Sequence, residues 1–333
     1  MEKRIVDNIV IKNFKSLHDV KLENCRTYNI LLGCPNAGKS NILEALSVFS
    51  LPDIVMEKRK MNDVLRFSGN MNELFFNCVT SEPISIIAGL YKVIIRNIDG
   101  IKYKGEIHYN KDEIEEFEIE NNKIKTRIFD RHSVFKKYIY SHFGRFEQLN
   151  IPFCSPIRGE KLMQEIQINK NFSHELADMI AIYGFQVMFD FSTQEIKLAQ
   201  KIDENCIFTI PFHSISDTLQ RLIFYKAIIS SNHDTVLMLE EIEAHSYPPY
   251  ISKVTHSILD DTRNQYFITT HSPYVINDFL EEKNADVAIF IIDYKDGETI
   301  IRRLTDKEVQ KVYDSGIDLF FNQDIFFNKH YHV

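Results

Sequence analysis

The chain has no excess of positive charge, no paired cysteines and no long apolar run. Each absence narrows what it does. Of 333 residues, 39 are Lys or Arg and 47 are Asp or Glu, a formal net charge of −8. That excludes a globally basic nucleic-acid binder, although not a local basic groove. The five cysteines, Cys25, Cys34, Cys78, Cys154 and Cys206, are scattered, odd in number and without a CxxC pair. A disulfide framework and a zinc site are therefore not expected, and a reducing cytosol is. The opening "MEKRIVDNIVIKNFK" is charged throughout and lacks the apolar core of a signal peptide. No apolar run approaches the ~18 residues of a membrane span. The longest, "VAIFII" at Val287 to Ile292, reads as a buried strand. The expected location is cytoplasmic, with no membrane partner. No internal repeat, low-complexity segment or Pro/Gly-rich linker divides the chain.

What is present alternates between two periods. "RIVDNIVIKNFKSLHDVKLE" alternates apolar and polar residues and predicts a strand pair turning near Asn13 to Leu17. "YNILL" is a short apolar strand, followed by Ile42, Leu46 and Phe49 at helical spacing. Met56 to Asn77 reads as helical or irregular. From Ile84 to Phe129, strand-like runs are broken at Asp99-Gly100, Asn110-Lys111-Asp112 and Asn121-Asn122, all good turn formers. Arg131 to Ala199 is expected to be largely helical. "VLMLEE" and "YFITTHS" are two further apolar strands that end in polar residues. A last strand pair, "VAIFIIDYKDGETIIRRL", turns at Lys295 to Gly297.

Between the first apolar strand and its helix stands Gly33-Cys34-Pro35-Asn36-Ala37-Gly38-Lys39-Ser40, which fills every fixed position of GxxxxGK[ST]. Its glycines let the backbone turn N–H groups onto phosphate oxygens, and the following helix aims its positive end at the same place. Gly33, Asn36, Ala37, Gly38, Lys39, Ser40 and Asn41 are the candidate nucleotide-binding residues. Lys39 supplies a point charge for the β and γ phosphates, and the Ser40 hydroxyl suits Mg²⁺. The guanine-specifying NKxD pattern is absent, which favours ATP as the bound nucleotide.

Two carboxylates, Glu240 and Glu241, follow the strand "VLMLE". Ligands of α/β sheets sit beyond the carboxyl ends of strands. Glu240 is placed to hold Mg²⁺ and Glu241 to act as a general base on water. The alternative for "EEIE" is a solvated acidic turn. "TTHSPYVI" puts His271 at a second strand end, within reach of a γ-phosphate or an attacking water. A lone histidine is more often structural.

These elements, in this order, resemble the ABC-superfamily ATPase heads of SMC and RecF-type proteins, and most of all the standalone AAA family ATPases related to the overcoming-lysogenization-defect group. "IVIKNFKSLHDVKLE" is similar to that family's first strand pair, "SNILEAL" to its first helix, "EEIEAHSYP" to its EEPEAHLHP segment and "TTHSPYVI" to its switch-histidine segment. The resemblance implies an α/β fold: a P-loop NTPase of ABC-head type with a mostly parallel core sheet, an antiparallel β subdomain and a helical lobe. It implies one domain in two lobes, 1–130 with 231–333, and 131–230. It also implies Lys39 and Ser40 in the phosphate loop, Glu240 as metal acid, Glu241 and His271 as catalytic residues, and ATP with Mg²⁺. Ser216, in "SISDTLQRLIFYKAII", matches the signature serine that contacts the γ-phosphate bound by the opposite subunit. The same stretch also reads as a helix capped by Ser216 or Asp217. Three departures stand out: "SDTLQ" lacks the glycine after the signature serine, Ile242 replaces a proline, and Ser246-Tyr247 replaces Leu-His. Gln148 is one candidate for the Mg²⁺-sensing glutamine.

By the same resemblance the chain works as a homodimer closed over two ATP molecules, in DNA maintenance or anti-phage defence. No heptad pattern is sustained between Lys39 and Glu240, so no long coiled-coil arm is expected. After the last strand pair, too little chain remains for a fused nuclease, so a nuclease or toxin effector belongs to a separate partner. The alternative is a sensing scaffold with little turnover that holds such a partner silent. Nucleic acid is a further candidate ligand. "KIKTRIFDRHSVFKKY" carries Lys123, Lys125, Arg127, Arg131, Lys136 and Lys137 among aromatics, as a phosphate-backbone groove or a solvated face.

Overall fold

Alternating and continuous apolar runs sort the chain into two kinds of sheet. A computed structural model describes residues 4–109, 113–126, 131–140, 162–190, 192–193, 195–282 and 284–327. Arg127, Gln148 and Cys154 lie outside them. The described residues fall into two compact units, one drawn from Met1–Lys137, Asp234–Ile242 and Asn264–Val333, the other from Tyr138–His233 and Glu243–Arg263.

The chain opens with strands β1 (Ile9–Phe14), β2 (Leu17–Leu22) and β3 (Tyr28–Gly33), then helices α1 (Lys39–Ser47) and α2 (Leu51–Met56). Three short 3-10 turns lead to Cys78. There follow β4 (Ile84–Ala88), β5 (Tyr91–Asn97), β6 (Lys102–His108), β7 (Ile114–Glu120), β8 (Lys123–Thr126) and β9 (Phe135–Tyr138). The middle of the chain holds α3 (Leu162–Ile168), α4 (Lys170–Ala181), β10 (Gln186–Asp190), β11 (Glu195–Lys201), β12 (Ile207–Pro211) and α5 (Asp217–Ser231). The remainder is β13 (Val236–Glu240), α6 (Pro248–Leu259), β14 (Gln265–Thr269), α7 (Pro273–Glu281), β15 (Val287–Lys295), β16 (Glu298–Arg303), α8 (Asp306–Ser315) and α9 (Gln323–Phe327).

In the first unit a seven-stranded sheet runs β2-β1-β4-β5-β6-β7-β8. Every neighbouring pair in it is antiparallel, as the alternating runs require. A six-stranded sheet, β16-β15-β3-β14-β13-β9, carries the parallel core. Strands β15, β3, β14 and β13 run parallel. Their runs are buried almost throughout, because a parallel strand is covered on both faces and has no solvent side to alternate towards. Hairpin β15–β16 turns at Asp296 (φ 53°) and Gly297 (φ 91°), the left-handed pair that a tight hairpin needs.

In the second unit, α5 buries Leu219, Leu222, Ile223, Tyr225 and Ala227 and packs on α6. The expectation of a largely helical Arg131–Ala199 is corrected here. Helices α3 and α4 form, but among the described residues the region also holds β9 and a three-stranded antiparallel sheet, β10-β11-β12, which continues to Pro211. The β10–β11 turn uses no glycine or proline. The Asp190 carboxylate closes it by accepting from the backbone N–H groups of Ser192 and Thr193 at 3.0 and 3.3 Å.

Candidate nucleotide site

Parallel register brings the polar strand ends to one edge of the core sheet. Glu240 on β13 lies opposite Thr269 on β14, Thr269 opposite Leu31 on β3, and Gly33 opposite Ile292 on β15. The glycine loop, Glu241 and His271 all leave the sheet along that edge, where α/β sheets place their ligands.

The loop has the geometry its residues impose. A Cβ on Gly33 would stand 2.1 Å from the Ile292 carbonyl oxygen, so only glycine lets β3 pair with β15 there. Gly38 holds φ 106° and Asn36 φ 62°. Gly38 is the N-cap of α1 and has no side chain to cap it, which leaves first-turn N–H groups available to an anion. Lys39 is 6% exposed, and its ammonium donates to the carbonyls of Gly33 and Cys34, both at 2.8 Å. The loop is braced from outside. Thr299 Oγ1 donates to the Ala37 carbonyl at 3.0 Å and shares a 2.7 Å hydrogen bond with Ser16 Oγ. Asn41 Nδ2 donates to Ser16 Oγ at 2.8 Å, so the Asn41 amide is engaged with this brace.

Glu240 sits in a charged cluster. Its carboxylate accepts from Arg66 Nη2 at 2.9 Å, with Lys137 Nζ at 3.5 Å and the Ser40 hydroxyl adjoining it. Burial pushes the Glu240 carboxyl up, but Lys137, the Ser40 hydrogen bond and Arg66 outweigh it and hold the group below its ordinary value. Burial pushes the Lys137 ammonium down, against the opposing pull of Glu240 and Glu44. Glu44, fully buried one helical turn after Ser40, accepts from Lys15 and from Arg66 Nε at 2.5 Å.

Glu241 takes φ 47°, a left-handed conformation that a glutamate adopts at a cost and that concentrates at functional sites. Its N–H donates to the Thr269 carbonyl at 3.0 Å, which fixes the turn out of β13. His271 Nε2 lies 3.7 Å from Glu241 Oε1. Burial and the nearby Lys39 charge hold the His271 imidazole below its ordinary value, against Glu241. Ser216 belongs to the second unit. It is the N-cap of α5, and its Oγ accepts from the Leu219 N–H at 3.4 Å.

Comparison with known proteins places this geometry. Residues 203–277, the stretch with Ser216, Glu240, Glu241 and His271, match the family described as "AAA domain, putative AbiEii toxin, Type IV TA system". The chain is 28% identical over 162 residues to the Methanocaldococcus jannaschii protein MJECL10, covering 46% of this chain and 72% of that one. Among solved structures it resembles an SMC head bound to the C-winged helix domain of ScpA, with a TM-score of 0.51 at 16% identity, over 92% of this chain and 100% of that one. It also resembles a Smc head with an extended coiled coil bound to the C-terminal domain of ScpA from Pyrococcus furiosus, with a TM-score of 0.50 at 12% identity, over 93% and 98% of the two chains. The fold is that of an SMC head.

Several residues of this site escape sequence reasoning. Glu44 leaves a trace, a carboxylate inside the apolar run "ILEAL". Arg66, Lys137, Ser16 and Thr299 leave none. The basic segment is corrected. Lys136 and Lys137 are 5% and 1% exposed, because β9 lies in the core sheet beside β13, so neither reaches a nucleic-acid backbone. Lys125 pairs with Glu120, and Arg131 pairs with Glu113 at 2.8 Å while covering the Tyr109 ring. Lys136 and Lys137 therefore do not contribute to such a groove, and Arg127 lies outside the described residues. No helix among the described residues is long and apolar enough to cross a membrane.

Proposed function

We propose that this chain binds and hydrolyses ATP with Mg²⁺, and that nucleotide gates the closure of two copies. The observation that carries this reading is the meeting of the Ser40 hydroxyl with the Glu240 carboxylate, at the foot of a loop whose lysine is already turned inward. Hard oxygen donors of this kind suit Mg²⁺, which keeps waters and shares phosphate oxygens. Among the described residues no group of three or more His, Cys, Asp or Glu could hold a metal unaided. A metal here is completed by the nucleotide.

In this reading the loop N–H groups and Lys39 hold the phosphates, with Gly33, Asn36, Ala37 and Gly38 shaping the loop and Asn41 bracing it. Ser40 and Glu240 would hold Mg²⁺, which supplies charge neutralisation on the phosphates. Glu241 orients the attacking water and accepts its proton, and His271, neutral at pH 7, lies beside it as a donor to the γ-phosphate. Ser216 contacts the nucleotide of the opposite copy. The cellular role is DNA maintenance or defence, with a separate effector. The two SMC heads it resembles were each captured with a domain of a partner protein.

The sensing-scaffold reading is favoured by one observation. The Ser216 hydroxyl is occupied as a helix cap, in a signature that lacks its glycine. The deciding experiment measures ATP binding and phosphate release by the full chain, with Mg²⁺ and with EDTA. Binding with Mg²⁺-dependent turnover supports the ATPase. Binding with negligible turnover supports the scaffold. Absence of binding defeats both.

A further inference from the structure

We propose that Arg66 is a built-in stand-in for the divalent cation: its guanidinium occupies the charge position on Glu240 in the nucleotide-free protein, and the metal must displace it. This rests on the reading of Glu240 as the metal acid.

The geometry is that of a cation held between two carboxylates. Arg66 Nη2 donates to Glu240 Oε1 at 2.9 Å, Nε to Glu44 Oε1 at 2.5 Å, and the Arg66 backbone N–H to Glu44 Oε2 at 3.1 Å. The Ser40 hydroxyl, on the turn of α1 before Glu44, adjoins the same Glu240 carboxylate. Glu44 and Glu240 therefore hold one guanidinium head between them, where hard oxygen donors would otherwise face a metal.

Exposure decides which partner moves. The Glu44 and Glu240 side chains are 0% and 14% exposed, whereas the Arg66 side chain is 61% exposed. The second cation on Glu240, Lys137, is 1% exposed and fixed in β9. A dication arriving while both stayed would put four positive charges around one carboxylate. Arg66 alone has an open path to solvent. Glu44 keeps hold of its Nε and backbone N–H, so only the Nη2 contact to Glu240 has to break. The arginine works as a hinged placeholder: it keeps the acid paired when no nucleotide is present, and it opposes metal loading until phosphates add their own charge.

The test uses Mn²⁺ alone as the probe, titrated calorimetrically into the full chain without nucleotide. Arg66→Gln keeps polarity and much of the length but removes the charge. It is expected to bind Mn²⁺ at least about tenfold more tightly than wild type, a change of ~1.4 kcal/mol. Arg66→Ala must shift affinity in the same direction. Arg66→Lys, which keeps the charge, should stay near wild type. Lys12→Gln, a remote surface cation paired with Asp19, controls for net charge and should also stay near wild type. The gain should vanish in Arg66→Gln combined with Glu240→Gln. Equal Mn²⁺ affinity in wild type, Arg66→Gln and Arg66→Ala overturns the proposal, as does equal tightening by Lys12→Gln. A gain that survives Glu240→Gln overturns instead the metal role of Glu240. Folding of each variant is checked by circular dichroism, because Arg66 also pairs the fully buried Glu44.

Discussion

Lys39 Nζ donates to the carbonyl of Gly33, 2.8 Å away and six residues back along its own loop. With Cys34 accepting a second bond, the ammonium is satisfied before any ligand arrives. A phosphate must then replace carbonyl oxygens with charged ones. The carbonyl bonds are already charge-assisted through the ammonium, but phosphate oxygens add a full opposite charge, so the exchange favours the phosphate. Lys39→Ala should weaken ATP binding by on the order of 100-fold, two charged hydrogen bonds at ~1.5 kcal/mol each. Calorimetry on a variant with a wild-type circular dichroism spectrum checks this. Undiminished affinity there would remove the loop from the site.

The outer brace gives a second expectation. Thr299 Oγ1 links the Ala37 carbonyl to Ser16, and Thr299 is 2% exposed. Thr299→Val keeps the shape, strands the buried Ala37 carbonyl and removes one partner of the half-buried Ser16 hydroxyl. It should destabilise the protein by ~1–3 kcal/mol in a urea titration and loosen ATP binding as well. A normal urea midpoint with normal affinity would mean the loop stands without its brace.

Much of this arrangement could be read from sequence, because it depends on local requirements. Gly33 and Gly38 are demanded by backbone geometry, and the apolar runs "YNILL", "VLML" and "YFIT" report burial on both faces of a strand. The loop, Glu240, Glu241 and His271 were legible for that reason. Arg66 and Lys137 were not. Arg66 stands in a stretch of 3-10 turns with no period, and Lys137 reads as surface charge until the sheet order sets β9 against β13. Strands β10 to β12 were hidden differently. The apolar residues of β12, such as Ile207 at 66% exposed, do not alternate between buried and solvent sides, and an aspartate side chain closes the β10–β11 turn.

The His271 imidazole sits below its ordinary value through burial and Lys39, opposed by Glu241. A lowered histidine stays neutral through pH 7. As pH falls, the unfolded chain takes up the proton first, so the contribution of His271 to stability is complete above its ordinary value and fades as pH falls through its folded value. If the neutral ring serves the γ-phosphate, kcat should hold steady from about pH 8 to the ordinary histidine value and decline only below it. A pH–rate profile measures this. His271→Gln should lower kcat and abolish that acid limb. An acid limb of the same midpoint in the variant would assign the titration to another group.

Ser216 tests the copy-to-copy contact. As a cap alone it contributes ~1 kcal/mol, so Ser216→Ala should lower stability by about that much. Ser216→Arg puts a bulky cation where the other copy's γ-phosphate would dock. ATP binding should persist while ATP-driven dimer formation, read by light scattering, is lost. Normal dimer formation and turnover in Ser216→Arg would leave the residue as a cap and nothing more.

Glu241 gives the sharpest separation of binding from chemistry. Its left-handed backbone and its 3.7 Å approach to His271 set it apart from Glu240, whose carboxylate is already tied to Ser40, Arg66 and Lys137. Glu241→Gln preserves size and most hydrogen bonds but removes the base. Turnover should fall ~10²- to 10⁴-fold, the usual cost of losing a positioned general base. Binding should survive, because Lys39, Ser40 and Glu240 are untouched. ATP that binds and is not consumed holds the closed state, so with Mg-ATP this variant should elute larger than wild type with ADP. If the wild type is already a constant oligomer, retained ATP that co-purifies with the variant is the readout. Full turnover in Glu241→Gln would move the base elsewhere. Loss of binding together with turnover would make Glu241 the metal residue in place of Glu240, and would remove the partner that Arg66 is proposed to guard.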